Sequence, residues 1–210
     1  MKTGKYIVIE GHDGTGKSTQ VGIIRQKLLE IGVNSIEFHE PAGTPTADAI
    51  RTVIKNGSLE RDAMTNLLLF SASRHELWNK LAVPALKRGT WVVASRNYYS
   101  SEAYQGYGEG LDLELIDTIT CKSTDDKYMN PDIAVILDLD NEDERVKRIG
   151  IRGKLENPDT FESKDDIFQK NVREAYLDIA KSRKIPIISA TQKPEAVADD
   201  IWQYIKSREL

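Results

Sequence analysis

Residues 6–20 read Y-I-V-I-E-G-H-D-G-T-G-K-S-T-Q, and this stretch decides the fold. It opens with an apolar run of strand length, and the segment from Lys17 to about Ile31 has helical character. Between them, Gly11 to Ser18 matches G-x-x-x-x-G-K-[ST] at every required position. A strand, this loop and a helix in succession form the context in which the motif holds phosphate, so the sequence predicts a nucleotide phosphate site.

The residue types in this loop fit the chemistry of phosphate binding. Glycines let the backbone wrap closely and direct its N–H groups inward. Lys17 is expected to reach the β- and γ-phosphates, and the Ser18 hydroxyl can ligate Mg²⁺. The dinucleotide fingerprint G-x-G-x-x-G fails, because Thr19 stands where its third glycine belongs. The predicted ATP-binding residues of the loop are Gly11, His12, Asp13, Gly14, Thr15, Gly16, Lys17, Ser18 and Thr19.

The rest of the chain continues the alternation of apolar runs and helical segments. Predicted strands cover residues 35–39, 91–94, 133–137 and 185–188, and predicted helices cover 46–54, 62–87 (bent by Pro84) and 194–207. Continuous apolar strands are typical of a parallel sheet that is covered on both faces. We therefore predict a single α/β domain over residues 1–210, with a P-loop NTPase-type doubly wound sheet of about five parallel strands covered by helices.

Composition excludes several classes of function. The chain has 210 residues, of which 40% are hydrophobic and 30% charged, so it is neither disordered nor a membrane protein. Lys and Arg total 29 and Asp and Glu total 33, which gives a net charge of -4. A mildly acidic chain has no global electrostatic reason to bind nucleic acid or anionic lipid. An anionic ligand must therefore be held by local cations and backbone amides.

Cysteine and histidine usage narrows the possibilities further. Cys121 is the only cysteine, which excludes an internal disulfide, and the three histidines are too scattered for a zinc site. No apolar stretch is long enough to span a membrane, and residues 1–10 lack the apolar core of a signal peptide. We therefore expect a cytoplasmic protein.

The P-loop by itself fits several kinds of enzyme. A GTPase would carry an Asn-Lys-x-Asp motif, but Asn79-Lys80 continues as Leu-Ala inside a predicted helix. A nucleic-acid motor is normally larger or more basic than this chain. A small-molecule kinase remains, and it requires a second anion site that faces the P-loop.

Side chains near the predicted strand ends could form that second site. Ligands of open α/β sheets bind at the carboxyl ends of the strands. Arg96 directly follows a predicted strand, so its planar guanidinium could bind a phosphate there in a bidentate manner. Phe70 and Arg74 share a helix face. The Phe70 ring could therefore stack on a base, and Arg74 could donate a hydrogen bond to a carbonyl of that base. The alternatives are a structural salt bridge for Arg96 and a core position for Phe70. Polar groups for the opposite wall are Ser101, Tyr104 and Gln105.

Residues 145–161 read R-V-K-R-I-G-I-R-G-K-L-E-N-P-D-T-F and differ from the rest of the chain. The segment is rich in cations and holds two glycines and one proline. One interpretation is a solvated helix end followed by a loop. The other is a mobile lid that carries an arginine to the site.

Several blocks of sequence together resemble one enzyme family. They are I-E-G-H-D-G-T-G-K-S-T-Q, E-P-A-G-T-P, L-L-L-F-S-A-S-R, S-R-N-Y-Y-S-S-E-A-Y-Q-G, P-D-I-A-V-I-L-D-L-D and S-A-T-Q. In their order and spacing, over nearly the whole chain, they resemble the thymidylate kinase family. Many kinases share the P-loop block, whereas E-P-x-G-T, L-L-F-x-A-x-R and A-Y-Q-G are much more specific.

The resemblance implies an enzyme that phosphorylates dTMP to dTDP with ATP and Mg²⁺, in the synthesis of dTTP. It implies that Asp13 lies near the acceptor and the metal, with Ser18 as the other metal ligand. Phe70 matches the ring that stacks on thymine, Arg74 matches the base-contacting arginine, and Arg96 matches the arginine that holds the acceptor phosphate. The remaining acceptor-site residues implied by the resemblance are Glu40, Pro41, Ser101, Tyr104 and Gln105.

The resemblance also implies where a catalytic arginine comes from. One branch of the family carries it in the P-loop, at the position of Gly14 in this chain. The chain is therefore similar to the other, bacterial-type branch, which supplies an arginine from the lid: Arg152 is the first candidate and Arg148 the second. Thr191 and Gln192 resemble the loop that borders the adenine, and family members pair through helices, which implies a homodimer.

Three positions depart from the family pattern. Ser95 replaces the aspartate of the family's D-R pair, so a carboxylate expected near Mg²⁺ is absent. His39 replaces the arginine that usually precedes E-P, and Ala42 replaces the first glycine of E-P-G-G. These changes bear on metal coordination and on the acceptor site.

Two other functions remain open at this point. Phe70 and Arg74 would serve a uracil or modified-pyrimidine monophosphate almost equally well, and a nucleoside kinase could use Asp13 or Glu40 as its base. The chain could also be a nucleotide-binding regulator without turnover, a possibility that Ser95 supports. An assay of ADP release with different acceptors distinguishes all three.

Overall fold

Five parallel strands form the centre of the protein in the computed structural model, which describes residues 3–151, 161 and 164–209. The strand order is β2-β3-β1-β4-β5, so the first strand lies in the middle of the sheet. The strands are β1 Tyr6–Gly11, β2 Ser35–His39, β3 Trp91–Ser95, β4 Ile133–Asp138 and β5 Ile187–Ser189. The predicted doubly wound parallel sheet is thereby confirmed.

Helices cover both faces of this sheet. The α-helices are α1 Lys17–Glu30, α2 Pro45–Lys55, α3 Ala63–Leu77, α4 Val83–Lys87, α5 Tyr98–Ser101, α6 Leu113–Ser123, α7 Asp126–Met129, α8 Glu142–Ile151, α9 Asp166–Arg183 and α10 Pro194–Glu209. Turns of π-helix cover Trp78–Ala82 and Glu102–Gly108. None of the helices that the structure describes is long and apolar enough to cross a membrane.

The core consists of one apolar layer on each side of the sheet. Strand β1 is buried along its whole length, because β3 and β4 pair with its two edges and helices cover its two faces. On one face, Ile24 of α1 and Ile201 of α10 pack in one cluster. On the other face, Trp78 packs against the rings of Tyr6 and Tyr128. Burial on both faces explains why the strands are continuous apolar runs.

The helix predicted over residues 62–87 is divided into three pieces. It consists of α3, the π-helical turn and α4, and the irregular turn lies directly before Pro84. Proline has no backbone N–H and its ring clashes with the carbonyl four residues earlier, so a regular α-helix cannot pass through this point. The bend predicted at Pro84 therefore begins earlier, at Trp78.

The structure refines two other predicted segments. The strand predicted over residues 185–188 begins two residues later, at Ile187, because Pro186 cannot donate a backbone hydrogen bond to the sheet. Residues 145–151, predicted as the start of a lid, form the end of helix α8. The interpretation of a helix end thus fits the start of that segment.

Candidate active site

The loop Gly11–Ser18 joins β1 to α1, as the motif predicts. Two of its glycines are required by the backbone. Gly11 has a φ of 141°, and a Cβ on it would lie 2.3 Å from the carbonyl oxygen of Leu137. Gly14 has a φ of 89°, and its Cβ would lie 2.9 Å from Cγ of Arg145. Neither position accepts a side chain without displacing its surroundings.

Lys17 lies within this loop, where its side chain is almost fully buried. Its Nζ donates hydrogen bonds to the carbonyl oxygens of Gly11 at 2.7 Å and His12 at 2.9 Å. His12 is also buried, and burial lowers the pKa of its imidazole to about 4. The positive charge of the loop near neutral pH therefore comes from Lys17 and from the helix N-terminus.

A cavity of about 430 Å³ opens beside the loop. This volume falls within the range of small-molecule sites. The cavity collects most of the side chains that the sequence predicted for the acceptor, together with part of the P-loop. The residues that line the cavity and that the sequence predicted for the site are Asp13, Gly16, Ser18, Thr19, Glu40, Pro41, Phe70, Arg74, Arg96, Ser101, Tyr104 and Gln105.

Arg96 lines the cavity and directly contacts the P-loop. Its NH2 forms a salt bridge with Asp13, and its NH1 donates to Ser100 Oγ at 3.0 Å. The Tyr104 hydroxyl donates to the other oxygen of Asp13 at 2.7 Å. Burial alone would raise the pKa of Asp13, but Arg96 and Lys17 hold it well below its usual range. The carboxylate is therefore ionised and holds Arg96 at the cavity.

Glu10 fixes the loop that carries Arg96, a role that sequence reasoning missed. Its buried carboxylate accepts hydrogen bonds from the backbone N–H groups of Asn97 at 2.8 Å and Ser100 at 3.1 Å. It also accepts one from the backbone of Gly11 at 3.1 Å and one from the Tyr176 hydroxyl at 2.9 Å. One carboxylate thus joins the P-loop to the segment after β3.

Arg74 lies in the cavity wall with only 1% of its surface exposed. Its Nε donates to Glu40 Oε2 at 3.1 Å, and its NH2 donates to Ser101 Oγ at 3.0 Å. Its NH1 is buried and has no hydrogen-bond partner among the described residues. Phe70 lies one turn earlier on α3 and lines the same cavity. The predicted pair is therefore brought together at the site.

Helix α2 contributes cations that sequence reasoning also missed. Arg51 and Lys55 are four residues apart, share one face of α2 and line the cavity beside His39. Burial and the neighbouring Arg96 and Arg51 lower the pKa of His39 to about 4, so its imidazole is neutral near pH 7. The i, i+4 spacing of the two cations was the signal that could have identified them.

The ends of the predicted lid border the cavity as well. Ile149 of α8 lines it, and so does Phe161, whose ring centroid lies 5.9 Å from that of Phe70 and 5.8 Å from that of Tyr104. Arg145 is buried against Gly14 and forms a two-pronged ion pair with Glu142. Arg152 lies outside the described residues.

Outside the P-loop, three predicted residues in the described part of the chain do not line this cavity. Arg148 donates from NH1 to the carbonyl oxygen of Ala190 at 2.9 Å and from Nε to Glu144 at 2.9 Å. The turn that follows Ala190 holds the other two. Thr191 pairs with Ser189 at 2.8 Å, and Gln192 donates to Asp200 at 3.0 Å. Both are exposed.

The oxygen ligands available at the site suit Mg²⁺. Ser18, with its hydroxyl, and Asp13, with its carboxylate, both line the cavity. Among the described residues there is no group of three or more histidine, cysteine, aspartate or glutamate side chains that could hold a metal. Mg²⁺ prefers hard oxygen ligands and usually keeps phosphates and water around it, so one or two protein ligands fit this ion.

Two of the departures from the family pattern lie next to each other. His39 at the end of β2 pairs in register with Ser95 at the end of β3. The Ser95 hydroxyl is buried and has no hydrogen-bond partner in the described part of the chain. Neither residue carries a charge near pH 7, so the two replacements together leave this strand end neutral.

Comparisons with known proteins agree with this geometry. The family model described as thymidylate kinase matches residues 9–201. The chain is 37% identical to the thymidylate kinase of Rhodopseudomonas palustris strain TIE-1, covering 99% of this chain and 90% of that protein. It is 34% identical to that of Deinococcus radiodurans, with 99% of both chains covered. The crystal structure of thymidylate kinase from Ehrlichia chaffeensis superposes with a TM-score of 0.76 at 29% identity, covering 97% of this chain and 99% of that one.

Proposed function

Since the chain belongs to the thymidylate kinase family and is an enzyme that phosphorylates dTMP to dTDP, we propose that its phosphoryl donor is ATP with Mg²⁺. We place the acceptor in the 430 Å³ cavity. One observation carries the proposal: the P-loop and the Arg96–Asp13 pair lie on the same cavity, so a donor and an acceptor phosphate can meet there.

The P-loop is the proposed donor site. Its backbone N–H groups and Lys17 would bind the phosphates of ATP. Ser18 and Asp13 would hold Mg²⁺, which when bound neutralises charge on the phosphate oxygens. Thr191 and Gln192 would border the adenine, and Arg148 would hold their turn in place through its bond to Ala190.

The opposite half of the cavity is the proposed acceptor site. Arg96 would bind the dTMP phosphate as a two-pronged donor. Phe70 would stack on the thymine, and Arg74 would donate to a carbonyl of the base. Polar contacts to the sugar and the base would come from Glu40, Ser101, Tyr104 and Gln105, with Pro41 beside them.

The proposed chemistry needs no general base. An oxygen of the dTMP phosphate, already anionic near neutral pH, attacks the γ-phosphorus of ATP. The bond from that phosphorus to its bridging oxygen breaks, and ADP leaves. The protein positions the two substrates and supplies positive charge, because Lys17, Arg96 and a lid arginine surround the phosphoryl group that is transferred. With the imidazoles of His12 and His39 neutral, lysine and arginine carry this charge.

A coupled assay of ADP release tests this function. With ATP and Mg²⁺, we expect release to be fastest with dTMP among dTMP, dUMP, dCMP, dGMP, thymidine and no acceptor. A preference for dUMP or thymidine would retain the donor site and refute the acceptor assignment. ATP binding without acceptor-dependent release would instead support a regulatory protein.

The Ser95 position supplies a second prediction. Replacing Ser95 by alanine should leave kcat and the Mg²⁺ requirement nearly unchanged, within about twofold, because its hydroxyl makes no hydrogen bond to the described residues. Replacing Ser18 by alanine is the matched comparison and should raise the Mg²⁺ concentration that gives half-maximal activity. A large loss of activity in Ser95→Ala would show that Asp13 and Ser18 with water do not suffice for the metal.

Three further features are proposed from the family resemblance. We propose that residues 145–161 close over the site as a lid, that the enzyme is cytoplasmic, and that two copies form a homodimer. Light scattering at several protein concentrations measures the oligomeric state, and a monomer at every concentration would refute the homodimer.

A further inference from the structure

Tyr128 contacts two residues of the cavity lining, Arg74 and Glu40. It belongs to the short helix α7, is fully buried, and does not line the cavity. Its ring packs against Trp78 at 5.0 Å, Tyr6 at 5.9 Å and Tyr98 at 6.2 Å between centroids. The ring alone would make Tyr128 an ordinary core residue.

The hydroxyl of Tyr128 makes polar contacts, whereas its ring packs against other rings. It donates a hydrogen bond to Glu40 Oε1 and accepts one from Arg74 Nε at 2.8 Å. The same Nε donates to Glu40 Oε2 at 3.1 Å. These three groups form a closed triangle, all of them buried. Burial makes such bonds both stronger and costlier to remove than they are in water.

This triangle leaves Arg74 little freedom. The guanidinium is planar, so holding its Nε and its NH2 fixes the direction of every N–H group. Glu40 and Tyr128 hold Nε, and Ser101 holds NH2. The NH1 has no partner among the described residues, although the side chain forms part of the cavity wall. The donors left over can serve a ligand.

We propose that Tyr128 is a positioning residue for recognition of the acceptor base, acting through Arg74. The proposal rests on the function proposed above, in which Arg74 faces the pyrimidine. A guanidinium only donates hydrogen bonds, so one that is fixed in place favours a carbonyl oxygen on the base edge and disfavours an amino group at the same place. Tyr128 thereby contributes to the preference for a thymine over a cytosine without touching either.

The test compares Tyr128→Phe with the matched variant Tyr98→Phe. Both changes remove one buried hydroxyl, but that of Tyr98 donates at 3.5 Å to the Met129 carbonyl oxygen and is not among the described partners of Arg74 or Glu40. Tyr128→Phe leaves Arg74 and Glu40 short of one bond each, so we expect the KM for dTMP to rise roughly tenfold. We expect the KM for ATP and kcat to change less than about twofold, because the base lies far from the bonds that break and form.

Two further readouts separate positioning from simple stability. The ratio of kcat/KM for dTMP over dCMP should fall in Tyr128→Phe and stay constant in Tyr98→Phe. In an Arg74→Lys background, adding Tyr128→Phe should change the KM for dTMP no further, because the group through which it acts is gone. Fully additive effects in this double variant would overturn the proposal.

The remaining outcomes are also decisive. An unchanged KM for dTMP in Tyr128→Phe, or equal changes for ATP and dTMP, would overturn the inference. Failure of Tyr128→Phe to fold, while Tyr98→Phe folds, would assign the hydroxyl to stability instead. If the unaltered enzyme prefers another acceptor, the proposed function fails, and that result is distinct from the failure of Tyr128 alone.

Discussion

Replacing Arg96 by alanine is expected to lower kcat/KM for dTMP by roughly 30- to 5,000-fold, the equivalent of about 2–5 kcal/mol. Two losses combine in this variant. The acceptor phosphate would lose the bidentate donor proposed for it, and Asp13 would keep a half-buried negative charge without its closest partner. That uncompensated carboxylate would then repel the incoming phosphate.

Steady-state kinetics with dTMP and ATP varied separately measure this effect. The kcat/KM of Arg96→Lys for dTMP should lie between those of the alanine variant and the unaltered enzyme, because an ammonium group keeps the charge but cannot make the bidentate contact. Arg88→Ala is the matched control, since Arg88 is exposed at the end of α4. A change confined to the KM for ATP would refute the assignment of Arg96 to the acceptor site.

The two candidate lid arginines should give different kinetic results. Arg152→Ala is expected to lower kcat by roughly 10³–10⁵-fold with a far smaller change in the KM for dTMP, the loss expected of an arginine that meets the transition state. Arg148 instead holds the Ala190 carbonyl, next to the turn proposed to border the adenine. Its replacement by alanine should therefore mainly raise the KM for ATP.

Both variants are measured in one experiment, at saturating and at limiting ATP. If Arg148→Ala lowers kcat and Arg152→Ala does not, the assignment of the two arginines is reversed. Lys147→Ala serves as the control, because its side chain on α8 is exposed and pairs only loosely with Glu144, at 3.9 Å. It should behave as the unaltered enzyme.

The sheet was predictable because its signals are local. Each strand is an apolar run, and the P-loop marks the junction of β1 and α1 without help from the rest of the chain. Helices α6 and α9 were not predicted, although α9 buries Phe168, Val172 and Ile179 on one face at a spacing that is typical of a helix. The irregular turn at Trp78 was missed for another reason: the effect of Pro84 on the preceding turn depends on how that turn packs.

The cavity lining was predictable where a single side chain suggests a chemical role, as with Arg96, Phe70 and Arg74. Residues that act through others were missed. Glu10 is one more strand residue in the sequence, and its role depends on Asn97 and Ser100, about 90 positions away. Tyr128 is likewise invisible until α7 is seen to pack behind Arg74. Long-range hydrogen bonds of this kind leave no periodic pattern in a sequence.

The backbone of Arg96 has a φ of 79°, in the left-handed region that favours glycine. A non-glycine residue held there costs about 1–3 kcal/mol, a sizeable part of the roughly 5–15 kcal/mol by which a typical domain is stable. Glycine at this position would relax the chain and remove the guanidinium at once. The protein therefore gives up some of its folding free energy to keep an arginine at the cavity. With the role proposed for Arg96, a substitution by glycine would gain folding stability and lose turnover.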